Sequence, residues 1–173
     1  MPRSLVLVEG ESDRTAVLTL AGRLGHDLSE VDVVSMGGIT NLRRHLADLA
    51  GDRAVGRVAV LHDAGETSYV DRTLAGHDGD VARFVCDADL EDELVRALGM
   101  PAVLDVVAAA GDLDAWHILL NQPYHRSRPP AAVLRRFWGT TSGRKEKYAA
   151  LLTAALTPAR VPAPLAGVLA AVG

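Results

Sequence analysis

SLVLVEGESD, residues 4–13, is the stretch on which the fold turns. Ser4–Val8 is apolar on both faces, as a strand must be when both sides of its sheet are covered. The run stops at Glu9, Gly10 lets the backbone turn, and Glu11 and Asp13 fall in the first turn of a following helix. In that helix Val17, Leu20, Ala21 and Leu24 recur at i, i+3, i+4 and i+7, which makes one apolar face. Gly25 is its expected stop. A strand feeding straight into a helix is the opening half of a βαβ unit.

The same alternation continues along the chain. Val31–Met36 and Val58–Leu61 read as further strands, and Arg83–Cys86 as a shorter fourth. Leu42, Leu46 and Leu49 mark a helix capped by Thr40 or Asn41. Further helices are expected around Ser68–Ala75 and from Leu90 onward. The pattern predicts an α/β fold, a mostly parallel open sheet flanked by helices. After Gly99 the texture changes. Met100–Leu120 reads as two Ala/Leu-rich helices broken at Gly111, with Asp112 capping the second. Gln122–Pro130 is expected to be an extended loop, and Ala131–Trp138 a helix. A Gly-Thr-Thr-Ser-Gly turn then leads into a helix ending near Leu156, and Pro158–Gly173 forms a turn and a short apolar helix. The expected organisation is an α/β core over residues 1–99 and a C-terminal helical extension over 100–173, packed on that core.

Bulk properties narrow the function classes. The 173 residues suffice for one sizeable core. No apolar run is long enough to cross a bilayer, and the N-terminal stretch meets acidic residues too soon for a signal peptide, so the expected compartment is the cytoplasm, with no membrane partner. A lone Cys86 excludes an internal disulfide and a Cys-rich zinc site. Residues 1–121 hold 10 Arg and 21 Asp/Glu, whereas residues 122–173 hold 8 Lys/Arg and the single acid Glu146. An acidic body with a basic tail suits a metal site beside an anion-binding surface. It equally suits two parts that neutralise each other by packing together.

Three acidic clusters fall at strand ends, where open α/β sheets gather their functional groups. They are Glu9-Gly-Glu-Ser-Asp13, Asp63-Ala-Gly-Glu66, and Asp87-Ala-Asp-Leu-Glu-Asp-Glu93. Each alone reads as a turn or a charged helix start, with Asp89 as the expected cap of the last. Together they would repel one another unless a cation sits between them. Oxygen donors without His/Cys spacing point to a hard ion, Mg2+ or Mn2+. Both lysines of the chain, Lys145 and Lys147, lie after the Gly-Thr-Thr-Ser-Gly turn, in a protein whose other cations are all Arg. A compact ammonium and free N–H groups at a helix start suit a phosphate; a capped, solvated basic helix is the plainer reading. His62 and His125 stand isolated and are expected at the surface or in hydrogen bonds.

These residues resemble a Toprim domain, and in detail the Toprim nuclease domain of the OLD (overcoming lysogenisation defect) family. The resemblance rests on Val-Glu-Gly-Glu-Ser-Asp at 8–13, Met-Gly-Gly-x-x-Asn at 36–41, Asp-Leu-Glu-Asp-Glu-Leu at 89–94 and Gly143-Arg144-Lys145, covering roughly residues 4–155. It implies a Toprim-type sheet and two metal ions that cut DNA. Glu9 and Asp13 match the Glu-x-x-x-Asp pair, Asp63 the first Asp of Asp-x-Asp, and Glu91, with Glu93, the downstream acids. Lys145 matches the lysine thought to stabilise transition-state charge, with Lys147 as runner-up. Gly65 stands where the second Asp is expected, and Glu66 is the neighbouring substitute, so the second metal position is the weaker one. No phosphate-loop motif occurs and the first strand begins almost at residue 1, which reads as a stand-alone module whose ATP dependence, if any, comes from a separate ATPase or helicase partner.

The resulting expectation is a Mg/Mn-dependent endonuclease working by a two-metal mechanism, in which two ions about 3.5–4 Å apart serve an in-line displacement. Arg126, Arg128, Arg135, Arg136, Arg144 and Lys147 would hold the DNA backbone electrostatically. The alternatives are a non-catalytic or partner-dependent nucleic-acid-binding module, which Gly65 favours, and an RNA-processing Toprim enzyme. A homodimer through the apolar segment 161–173 is a further expectation; the plainer reading is that this segment covers the sheet's own helices.

Overall fold

Four strands carry the architecture. β1 (Arg3–Val8), β2 (Val31–Ser35), β3 (Val55–Asp63) and β4 (Val81–Cys86) form one parallel sheet in the order β2-β1-β3-β4. The computed structural model describes residues 3–49 and 55–173. The strands are joined by α1 (Glu11–Leu24), α2 (Leu42–Asp48) and α3 (Thr67–Leu74), and β4 is followed by α4 (Leu90–Leu98). Because β1 has β2 on one side and β3 on the other, the chain reverses its direction of sheet growth at β1. A crevice opens at the carboxyl ends of strands at such a reversal.

Alternating side chains explain the two faces. Val6, Val8, Val33, Ala59 and Leu61 point into a core shared with Ala16, Val17, Leu20 and Ala21 of α1. Leu5, Leu7 and Val60 point the other way, onto Leu42 and Leu46 of α2 and Val70 of α3. Covering both faces is why Ser4–Val8 is buried without interruption. Gly25 ends α1 in the left-handed region (φ 72°), which a Cβ would disfavour.

The remaining chain adds α5 (Met100–Ala109), α6 (Leu113–Leu120), α7 (Pro130–Gly139), α8 (Arg144–Ala155) and α9 (Ala163–Val172). α8 packs along α1, and α9 lies across β3, β4 and β1. Trp116, Phe137, Trp138 and Tyr148 join α6, α7 and α8 in an aromatic cluster with ring centroids 4.4–6.0 Å apart. Such pairs add about 0.5–1.5 kcal/mol each beyond their buried area. This cluster holds the N-terminus of α8 in position, which matters for Lys145.

Several local expectations are corrected. Asn41 occupies the N-cap position of α2 without capping it; its Nδ2 donates back to Met36 O (2.9 Å) and Gly37 O (3.2 Å). Asp112 occupies the N-cap position of α6, but its carboxylate accepts from Lys147 Nζ and Tyr148 Oη, both at 2.8 Å. A charged ammonium and a partly buried phenol outcompete a backbone N–H there. Residues 122–129 are consecutive turns, not an extended loop, with His125 N donating to Gln122 O (2.8 Å) and Arg128 N to His125 O (3.0 Å). His62 and His125 are buried and not at the surface, while His62 Nδ1 does make a hydrogen bond, to Asp63 O. The apolar face of α9 is used within the chain: Leu165, Val168, Leu169 and Val172 are buried, and a Cβ at Gly167 would collide with the Phe84 ring. Among the described residues no helix is long and apolar enough to cross a membrane.

Candidate functional site

The crevice predicted by the strand order is present. Glu9, Gly10, Ser12, Asp13, Ser35, Gly37, Gly38, Asp63, Glu91 and Lys145 are among the residues lining one cleft of about 480 Å³. Glu9 emerges from β1 and Asp63 ends β3. Asp13 is the third residue of α1, where its Oδ2 accepts from Gly10 N at 2.8 Å, so it braces the helix start and faces the cleft at once. Glu91 comes from the first turn of α4, which Asp89 caps as expected, its Oδ1 accepting from Asp92 N at 2.8 Å.

The floor is made by a glycine pair. Met36 N donates to Val8 O (2.8 Å), extending the β1–β2 ladder by one bond. The chain then folds back so that Gly38 N donates to Glu9 O (2.9 Å), with Gly37 at φ 68° and Gly38 at φ 118°. Other residues adopt these conformations only under strain. Asn41 ties the loop from beneath. The Met-Gly-Gly-x-x-Asn stretch therefore positions the backbone of Glu9. Ser35, Gly37 and Gly38 are cleft residues that no acidic pattern reveals; two adjacent glycines after a strand are the available signal.

Electrostatically the cleft is strained. Burial raises the pKa of Glu9, helped by the charges of Glu66 and Glu91 and opposed by Lys145. Burial also raises Asp13, against the Gly10 hydrogen bond and Lys145. Asp63 is pushed up to about 7, by burial first and then by Asp13, Glu9, Asp89 and Glu91. Glu91 is raised mainly by burial. One cation faces them. Lys145 Nζ lies 3.3 Å from Glu91 Oε1, an enclosed oxygen that has no aligned hydrogen-bond donor. Burial disfavours the charged ammonium, but Glu91, Asp13 and Asp89 outweigh it and raise its pKa. Among the described residues no three or more His, Cys, Asp or Glu side chains close into a metal cage.

Other candidates lie elsewhere. Glu66 is near enough to raise the pKa of Glu9 but does not line the cleft. Glu93 faces away: its Oε1 accepts from Asp87 N (2.8 Å) and pairs with Arg96 (2.7 Å), which closes the β4–α4 turn. Arg135 pairs with Asp89 at 2.7 Å. Arg144 lies over the Phe137 ring at 4.4 Å and donates to Thr140 Oγ1, while Lys147 is held by Asp112. Arg126, Arg128 and Arg136 are exposed. His62 Nδ1 is 2.8 Å from Asp63 O, which makes it the protonated nitrogen, and burial lowers the pKa of the ring.

Gly65 occupies no special conformation. It is absent from the positive-φ glycines, and a Cβ there would meet nothing within 4 Å. Gly65→Asp is thus expected to fold normally and to add a donor at the β3 end. Calorimetric titration of parent and variant with Mn2+ is the check: added binding in the variant would show that a carboxylate at 65 reaches the cleft, and unchanged stoichiometry and affinity that it does not.

The architecture has counterparts among solved structures. The C-terminal region of the Burkholderia pseudomallei OLD protein matches at a TM-score of 0.68 and 21% identity, covering 98% of this chain and 96% of that one. The C-terminal region of the Xanthomonas campestris pv. campestris OLD protein matches at 0.68 and 22%, covering 99% and 94%. No protein-family model matches the chain, and no curated protein does. At 21–22% identity the likeness is one of fold: this chain has the Toprim-type α/β fold of the C-terminal regions of OLD proteins, over nearly its whole length.

Proposed function

We propose that the chain is a divalent-metal-dependent nuclease that hydrolyses phosphodiester bonds of DNA. The observation carrying this reading is the convergence of Glu9, Asp13, Asp63 and Glu91, from three strand ends, on one cleft with Lys145. The donors are oxygen only and partly buried, and the enclosed Glu91 Oε1 lacks an aligned donor, a set that fits Mg2+ or Mn2+. Those four carboxylates would hold the metal, with Glu66 beside them, and two ions are proposed, the second with fewer donors because of Gly65. Bound there, the metal would supply an activated water and charge stabilisation at the leaving oxygen. Glu9 is held in register by Gly38, and Asp13 keeps one oxygen for Gly10 and offers the other. Lys145 can turn from Glu91 to a phosphate oxygen and offset its charge.

Arg126, Arg128 and Arg136 would hold the backbone by charge, giving binding that weakens steeply with salt. Arg135, Arg144 and Lys147 would first have to release their internal partners. Dependence on ATP would require an ATPase or helicase partner. Supercoiled plasmid incubated with Mn2+ or Mg2+ tests the reading: the parent should nick or linearise it, and Glu9→Ala should leave it intact. Equal inactivity of both would end the nuclease reading.

A second reading, a nucleic-acid-binding or partner-dependent module without its own catalysis, is favoured by Gly65 and by the open spacing of the acids among the described residues. Mn2+ titration separates the two. Two sites support the nuclease, and one weak site or none supports the module.

A further inference from the structure

We propose that the turn segment between α6 and α7 is a platform for single-stranded nucleic acid, with Tyr124 as the ring on which an unpaired base stacks. The proposal rests on the nuclease reading and names the form of strand presented to the cleft.

Charge is the first argument. Residues 115–145 contain no Asp or Glu; three of their five Arg, Arg126, Arg128 and Arg136, are exposed, while Arg135, Arg144 and Lys145 face Asp89, Asp112 and Glu91. A run of that kind favours a polyanion. The second is the ring itself. Trp116, Phe137, Trp138 and Tyr148 are buried together in the nearby core, whereas Tyr124 is 69% exposed.

The ring is nevertheless held. Successive turns fix its backbone, and its neighbour His125 is buried beneath, with ring centroids 5.0 Å apart and planes at 77°. The Arg128 guanidinium lies over one face of the Tyr124 ring, 4.5 Å from its centroid. A base would stack on the face that Arg128 does not cover, with the guanidinium as a charge for the adjoining phosphate. Arg126 is also restrained, its Nε donating to Asn121 O at 2.9 Å. In a duplex the base faces are already stacked, so the ring would contribute only where a base is unpaired. The platform also leads to the site: α7 begins directly after it, and Ala131 and Arg135 share a small hollow with Asp89 and Glu91.

The test is fluorescence anisotropy in EDTA, using labelled oligothymidylate and oligouridylate of about 20 nucleotides and a duplex of equal length. The parent should bind single strands more tightly than duplex. Tyr124→Ala should weaken single-strand binding about ten-fold and leave duplex binding unchanged, Tyr124→Phe should retain parental affinity, and Arg128→Ala should fall between. Preference for either oligonucleotide supports the platform and tells DNA from RNA. Equal single-strand affinity of Tyr124→Ala and the parent, or a Phe variant as weak as Ala, would overturn it. Because EDTA removes catalysis, a protein that binds in this way but never cuts loses the nuclease reading and keeps the platform. One that cuts with binding indifferent to Tyr124 does the reverse.

Discussion

Replacing Lys145 with methionine is expected to tighten Mn2+ binding while slowing cleavage. The Lys145 ammonium sits 3.3 Å from Glu91 Oε1 and faces Asp13 and Glu9 as well. It therefore competes with any arriving cation for the same negative potential. Unit charges about 4 Å apart interact by about 4 kcal/mol at an effective dielectric of 20. The Lys145 side chain is 56% exposed, so solvent screening reduces this. About a ten-fold gain in Mn2+ affinity is the expected remainder. The rate should nonetheless fall by about 10²–10³, the usual cost of losing one preorganised group at a developing charge. Calorimetry reads the first effect and single-turnover cleavage at saturating Mn2+ the second. Without metal the variant should also unfold about 1–2 kcal/mol more easily, because a buried carboxylate has lost its counter-charge. Mn2+ affinity equal to or weaker than the parent's would show that Lys145 is not the competing cation.

The second large effect is on stability against pH. Asp63 has an ordinary value of 3.8 and is pushed up to about 7, and Glu9, Asp13 and Glu91 are raised too. Between those limits the folded chain keeps protons that the unfolded chain has released. Stability then falls as pH rises. The contribution is fully present below the unfolded-state values and is lost as pH passes about 7. For Asp63 alone the span is worth at most about 4 kcal/mol, and less after screening. Thermal unfolding in EDTA should therefore give a lower Tm at about pH 8 than at about pH 5. Mn2+ should raise Tm more at the higher pH, because ligation requires the deprotonated carboxylates. Asp63→Asn should flatten the EDTA profile and raise the Tm at the alkaline end. A parental Tm that stays level or climbs with pH, with no difference from Asp63→Asn, would contradict the charge crowding described here.

Much of this molecule follows from local pattern. Ser4–Val8 is a central strand because five consecutive buried positions need cover on both faces. Gly25 stops α1 because the left-handed turn excludes a Cβ, and Asp89 caps α4 because its carboxylate reaches the N–H of Asp92. The acids at the ends of β1, β3 and β4 were visible as clusters, since strand ends and helix starts are read from neighbours in the chain. Long-range competition decided the rest. Asn41 and Asp112 have the residue types of caps and stand at cap positions, yet each side chain found a stronger partner, in the Met36–Gly37 backbone and in Lys147 with Tyr148. The apolar C-terminal segment had no partner that periodicity could name until α9 lay on β3 and β4, with Gly167 against Phe84. Above all, hydrophobic pattern could mark α8 as a helix but not its direction against α1. The packing of α8 along α1, with Tyr148 against Phe137 and Trp138, brings Lys145 to Glu91. Side-chain type and spacing reveal which groups a strand end offers, whereas the distance between charges from different strand ends is set by the core that joins them.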